Sequence, residues 1–153
     1  MTVIGIDPGT ATVGYAVVSG TKKRPVIHSF GIIQTSAKQD MSLRLLEIGT
    51  DLEQVLQEFK PELALIESLF YFKNQKTVIT VAQARGVLIY LSAKYNLRIN
   101  ELTPLQLKQA LTGYGRANKA QMQQVVKKLY NLDQIPKPDD AADALAIAWC
   151  GLP

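Results

Sequence analysis

Three runs rich in β-branched residues crowd into the first 35 positions, and the stretches between them are short. Residues 2–7 favour a strand, Pro8-Gly9-Thr10 is a turn signal, and residues 14–18 and 25–35 read as two further strands around a hairpin at 20–24. Strands joined this closely must pair antiparallel, because a parallel pair needs a crossover of a dozen or more residues. The chain therefore opens with an antiparallel meander.

The pattern then changes. Leu45, Ile48, Leu52, Val55, Leu56 and Phe59 recur at three- and four-residue spacing, which predicts an amphipathic helix that starts from an Asp40 cap and stops at Pro61. Residues 63–66 are a short continuous apolar run, the mark of a buried central strand. A helix over 76–95, a strand over 97–102 and a short helix opening at Pro104 follow. Gly113 and Gly115 break the chain before a helix over 119–130, and a Pro-rich turn at Pro136 and Pro138 precedes a last helix over 139–150. The order βββαβαβααα predicts an α/β domain: a mixed five-stranded sheet with helices on both faces. The right-handed crossover rule places the fourth strand beside the first and parallel to it. The 153 residues, 1–153, suit one such domain.

Composition removes several classes of function. With 47% apolar and 20% charged residues the chain is an ordinary globular one. Its one cysteine, Cys150, forbids an internal disulfide, and no apolar run reaches the ~18–20 residues of a membrane span. Residues 1–7 lack the features of a signal peptide. The expectation is a soluble cytoplasmic protein. Charge is unevenly spread. Residues 1–67 carry 6 Lys/Arg against 8 Asp/Glu, residues 68–132 carry 10 against the single Glu101, and residues 133–153 carry Lys137 against four Asp. A basic middle is the electrostatic footprint of a polyanionic partner.

The acids are arranged more tellingly than the bases. Asp7 ends the first strand and Glu67 follows the fourth, so parallel pairing projects both carboxylates from one edge of the sheet, where α/β folds bind their ligands. Asp143 interrupts Ala141-Ala142-Asp143-Ala144-Leu145-Ala146-Ile147-Ala148-Trp149, a helix apolar almost all round that must be buried. A buried carboxylate is costly unless it is paired or binds a metal. Asp140 at i, i+3 and Asp139 at i, i+4 can each share its face, and spacing alone does not choose between them. Several carboxylates repel one another unless a divalent cation joins them, and oxygen-only ligands suit Mg²⁺ or Mn²⁺ rather than zinc. His28, the only histidine, sits mid-strand away from this edge and reads as structural. Acids around metals beside a basic surface suit phosphodiester hydrolysis by two metal ions.

Two other segments fit a nucleic-acid surface. Phe70-Tyr71-Phe72-Lys73-Asn74-Gln75-Lys76 interleaves aromatics with Lys73 and Lys76, a platform for stacking unpaired bases. Asn118 with Gln121 forms a capping-box pattern that leaves Lys119 in a first helical turn, where a cation opposes the dipole, so Lys119 and Arg116 are candidate phosphate contacts. The helix over 76–95 is also apolar almost all round. One face can cover the sheet and the other a second copy of the chain, with Ala82, Ala84 and Gly86 allowing close approach.

Gly5-Ile6-Asp7-Pro8-Gly9-Thr10 with Gly14-Tyr15, Ile66-Glu67 followed by Phe70 and Asn74, Gln83-Ala84-Arg85-Gly86-Val87, and Asp140-Ala141-Ala142-Asp143-Ala144-Leu145-Ala146 together resemble the RuvC family of bacterial Holliday-junction resolvases, from residue 3 to about residue 150. Ala16 and Ala82 stand where that pattern often has glycine. The resemblance implies an RNase H-like (retroviral-integrase superfamily) fold and four catalytic, metal-binding carboxylates, Asp7, Glu67, Asp140 and Asp143, so Asp140 rather than Asp139. It further implies two Mg²⁺ per subunit with Mn²⁺ as substitute, symmetric nicking of four-way junction DNA by a homodimer in recombination and repair, and a branch-migration helicase partner of the RuvA and RuvB type. Phe70 would stack on a base near the crossover, and Lys108 and Lys119 would contact DNA. Two alternatives remain: an RNase H-like nuclease acting on other nucleic acids, and an actin-like nucleotide-binding protein, whose first phosphate loop Asp7-Pro8-Gly9-Thr10 also resembles but whose two lobes exceed 153 residues.

Overall fold

The computed structural model describes residues 1–68 and 75–153, with the backbone alone for Gln75 and Lys76. Strands β1 (Val3–Asp7), β2 (Thr12–Thr21) and β3 (Arg24–Gln34) form the meander. Helix α1 (Met41–Phe59), β4 (Leu63–Glu67), α2 (Gln75–Lys94), β5 (Arg98–Leu102), α3 (Pro104–Thr112), α4 (Lys119–Leu129) and α5 (Asp139–Cys150) follow. The sheet order is β3-β2-β1-β4-β5. The meander pairs antiparallel, while β1–β4 and β4–β5 pair parallel, as the crossover rule requires.

Strand alternation sorts the core into two layers. Val3, Leu63 and Leu65 join the cluster built on α5, α4 and Leu107 of α3. Ile4, Ile6, Ala64 and Ile66 join the cluster built on α1 and α2. Asp7 and Glu67 continue the first set by the two-residue period, so both acids belong to the face that α5 covers.

Helix α5 lies unusually close to the sheet. A Cβ on Gly5 would overlap the backbone of Ala144 and Ala148, and a Cβ on Gly14 would overlap the backbone of Asp140. Gly14 pairs with Asp7 across β1 and β2. These two glycines therefore allow the first turn of α5 to settle beside Asp7. Every residue from Ala141 to Ala148 is buried except Asp143.

Several details depart from the sequence expectations. β2 is longer than the 14–18 core of the pattern, because its ladder to β3 continues from Thr12↔Gln34 to Thr21↔Arg24 and leaves Lys22-Lys23 as the turn. Asp40 occupies the N-cap of α1 without a side-chain cap bond; its backbone carbonyl accepts from Leu43 and Arg44 instead. Ala84 is fully buried against the sheet and so cannot lie on an outer face of α2, whereas Ala82 and Gly86 are exposed. Cys150 is half-buried at the margin of the α5 cluster rather than deep in it. Among the described residues no helix is long and apolar enough to cross a membrane.

Candidate active site

Asp7, Asp140 and Asp143 each offer a carboxylate oxygen, and these oxygens lie within 4.8 Å of one another. Asp7 comes from the end of β1, the other two from the first turns of α5. Glu67, at the end of the neighbouring β4, stands beside this group. It lines a cavity of about 200 Å³ together with Asp143, Lys108, Lys119, Pro104, Leu107 and Met122.

The group is electrostatically strained. Burial, then the charges of Glu67, Asp143 and Asp140, push the Asp7 carboxyl up to about 8 against the pull of Lys119. Glu67 is pushed up to about 7, by burial and by Asp143, with Lys108 acting in the opposite sense. Asp143 is raised as well, by burial first. Protein cations relieve little of this: Lys119 Nζ lies 3.8 Å from Asp143 and 3.1 Å from Asp139. A cluster whose donors are all oxygens, partly desolvated and mutually repelling, fits a hard divalent cation.

The neighbours Asp139 and Asp140 have parted. Asp140 faces Asp7 and Asp143. Asp139 is exposed, accepts from Gln123 Nε2 at 2.9 Å and pairs with Lys119, which holds its carboxyl below the usual range. This link between α4 and α5 is a site feature that sequence reasoning missed. Asp139 is favourable in any first helical turn, and nothing local marks a tertiary partner.

The other candidate contacts fall out as follows. Asn118 caps α4 in a full box with Gln121, which fixes Lys119 in its first turn at the mouth of the cavity. Lys108, on α3, is half-buried in the same lining. Arg116 is exposed in the α3–α4 connection and is not among the lining residues. Phe70 and Lys73 lie outside the described residues, as does the side chain of Lys76. His28 is exposed on β3, 2.7 Å from Ser19 Oγ.

The chain is an RNase H-like α/β domain with an acidic cluster at the edge its first strand shares with the last helix. Residues 3–151 match the family model for crossover junction endodeoxyribonuclease RuvC. Crossover junction endodeoxyribonuclease RuvC of Syntrophomonas wolfei is 49% identical over 99% of this chain and 88% of its own length. That of Caldanaerobacter subterraneus is 51% identical over 98% of this chain and 91% of its own. The structure of Thermus thermophilus RuvC in complex with Holliday junction substrate superposes with a TM-score of 0.92 at 30% identity, covering 97% of this chain and 91% of that one. The chain belongs to the RuvC family.

Proposed function

We propose that this chain is a structure-selective endonuclease that resolves Holliday junctions by metal-dependent nicking of two DNA strands. The observation that carries the reading is the meeting of Asp7, Asp140 and Asp143 oxygens within 4.8 Å, in a chain of this family. Asp7, Asp140, Asp143 and Glu67 are the catalytic carboxylates and would hold two Mg²⁺ per subunit, with Mn²⁺ able to replace it. Such cations supply an activated water and stabilise the leaving oxygen. The protein's own part is to fix that geometry. Four carboxylates on two adjacent strand ends and one helix define where a phosphodiester must lie. Water adds to phosphorus, the bond to the leaving sugar oxygen breaks, and that oxygen takes up a proton. Lys108 and Lys119, beside Glu67 and Asp143, are placed to neutralise the phosphates that enter. Arg116, Lys73 and Lys76 would add positive charge for the DNA backbone, and Phe70 would stack on a base at the crossover.

A junction offers two equivalent strands, and a two-fold dimer offers one site to each. The outer face of α2 supports a dimer. Ile79 and Tyr90 are 66% and 65% exposed there, and among the described residues a Cβ on Gly86 would meet nothing within 4 Å, which leaves room for a partner helix. Leu46 of α1, 65% exposed, continues the apolar surface across a groove of about 440 Å³. The reading further assigns a RuvA- and RuvB-type branch-migration helicase as partner and the cytoplasm as the place of action.

Cleavage of a four-way DNA junction, compared with a linear duplex and an RNA duplex, tests the reading. Paired nicks in the junction with Mg²⁺ are expected. Asp7→Asn keeps the shape and removes the charge, so the variant should fold, bind junctions and cut at least ~10³-fold more slowly. Cutting of the RNA duplex in preference to the junction would favour the general RNase H-like alternative, and near wild-type cleavage by Asp7→Asn would sink the site.

A further inference from the structure

The turn that leads away from Asp7 borders a second cavity, of about 370 Å³, that none of the four carboxylates enters. Gly9 and Thr10 of the turn and Thr12 at the start of β2 form one wall, Arg44 of α1 and Thr80 of α2 another. Arg44 is half-buried here, and among the described residues no carboxylate pairs with it. Its Nε donates to Thr35 Oγ1 at 2.9 Å, and Thr35 Oγ1 in turn donates to the Thr10 carbonyl at 2.6 Å. The guanidinium is thus anchored by one nitrogen to the turn itself. Thr10, only 7% exposed, has a hydroxyl with no hydrogen-bond partner.

Both features are costly as they stand. A half-buried guanidinium without a counter-ion gives up part of its hydration and has only the bond from Nε to Thr35 in return. A buried hydroxyl left unpaired carries its full desolvation penalty. A tetrahedral oxyanion against the turn removes both costs once the Thr10 side chain turns its solvent-closed hydroxyl outward, since the planar fork of an arginine matches phosphate oxygens in pairs and that hydroxyl then donates to a third. The β1–β2 turn also leads back along the chain to Asp7, three residues before Thr10.

Resting on the junction-nuclease reading above, we infer that Arg44 and Thr10 form a phosphate site for the DNA strand that crosses Asp7. It holds a backbone phosphate next to the one being cut and reads no base. Thr35 is a positioning residue, because it locks Arg44 to the turn that carries Thr10.

Binding of a fluorescent four-way junction to metal-free dimer, titrated across salt, tests the inference. Arg44→Gln should weaken binding about tenfold, the size of one charge-assisted hydrogen-bond pair, and should reduce the slope of log K against log salt by about 1. Thr10→Val deletes the orphan hydroxyl at constant volume. It should hold or raise the melting temperature while weakening binding about threefold. Lys22→Ala, on the far hairpin, should change neither. A fall in melting temperature for Arg44→Gln with affinity and salt slope unchanged would make Arg44 a structural strut and overturn the inference. Should Arg44→Gln fail to fold, Thr10→Val decides, and unchanged junction affinity there overturns it. If inorganic phosphate raises the melting point of the wild type but not of Arg44→Gln, while their junction slopes agree, the cavity serves a free phosphate and the DNA assignment is wrong. Wild-type protein that neither binds nor cuts junctions defeats the function itself; wild-type protein that does both, with an unaltered slope in Arg44→Gln, defeats only this site.

Discussion

Helices α2 and α5 are both apolar almost all round, yet the fold treats them oppositely. Helix α5 crosses the middle of the sheet, over β1 and β2, and every position from Ala141 to Ala148 but Asp143 is buried. Helix α2 packs beside α1 with Ala84 and Leu88 inward, and Ile79 and Tyr90 remain in solvent. The same pattern thus has two physical meanings. Where a helix is covered on all sides, the one polar residue left in it has a task. Where one face stays bare, the apolar residues themselves have the task, and a second copy of the chain is the proposed cover.

The sharpest way to break this contrast is to charge the two faces of α2. Ala84→Glu places an unpaired carboxylate in a fully buried position and should cost more than ~3 kcal/mol, enough to unfold much of the protein. Ala82→Glu, on the exposed face, should leave the fold intact by circular dichroism but yield a monomer in sedimentation whose nicks are no longer paired. A folded Ala82→Glu dimer with paired nicking would move the interface elsewhere.

Glycines sharpen the same contrast. Gly14→Ala drives a methyl group into the Asp140 backbone, so α5 must lift from the sheet, at about 1–3 kcal/mol. Cleavage should fall more than junction binding, since the lift separates Asp140 and Asp143 from Asp7. Gly86→Ala meets nothing within 4 Å among the described residues and improves helix propensity by up to ~1 kcal/mol. A monomeric background carrying Ala82→Glu should therefore be stabilised by Gly86→Ala, while dimerisation of the otherwise native protein should weaken. Stronger dimerisation would mean that no partner backbone approaches Gly86.

Most of this architecture was readable because it rests on local or topological rules. The short turns specify the meander, the crossover rule specifies β4 beside β1, and the strand period then brings Asp7 and Glu67 to one face. What was not readable depends on phase or tertiary position. A helix apolar all round has no periodic signal to show which side faces in, which is why Ala84 could not be assigned from its pattern. Asp139 and Asp140 are both within a turn of Asp143, and the position of α5 over Gly14 separates them. Arg44 and Thr10 meet through Thr35, 25 residues from Thr10, and no spacing in the sequence encodes that.

The covered helix should also cost the protein stability that depends on pH. Asp7 titrates near 4 when unfolded and near 8 in the metal-free fold, so between those values the native state holds a proton that the unfolded chain has lost. Stability of the metal-free protein should then fall as pH rises from about 4 to 8, and level off above it. Asp7→Asn removes the Asp7 share of that loss and leaves the smaller shares of Glu67 and Asp143. Its melting temperature without metal should exceed that of the wild type at pH 8, by ~3 °C or more, and converge with it near pH 4. Saturating Mg²⁺ should narrow the gap at pH 8 by stabilising the wild type alone. A gap independent of pH would mean that charge at Asp7 is not what the metal-free fold resists.

The smallest effect expected is at Asp139, whose carboxylate is exposed and pairs with Lys119 and Gln123 outside the three-oxygen group. Asp139→Asn keeps the bond to Gln123 and weakens the hold on Lys119, whose own pKa is raised chiefly by that bond. An exposed pair of this kind contributes little to stability, so melting should be almost unchanged and cleavage should stay within about threefold of wild type. The direction is informative. Lys119 lies between Asp139 and Asp143, 3.1 Å from one and 3.8 Å from the other, so freeing it from Asp139 leaves more of its charge for an incoming phosphate. Junction binding should tighten slightly, and the tightening should vanish in a Lys119→Ala background. A loss of cleavage matching that of Asp140→Asn would instead put Asp139 among the metal ligands and reverse the assignment that separates the two neighbours.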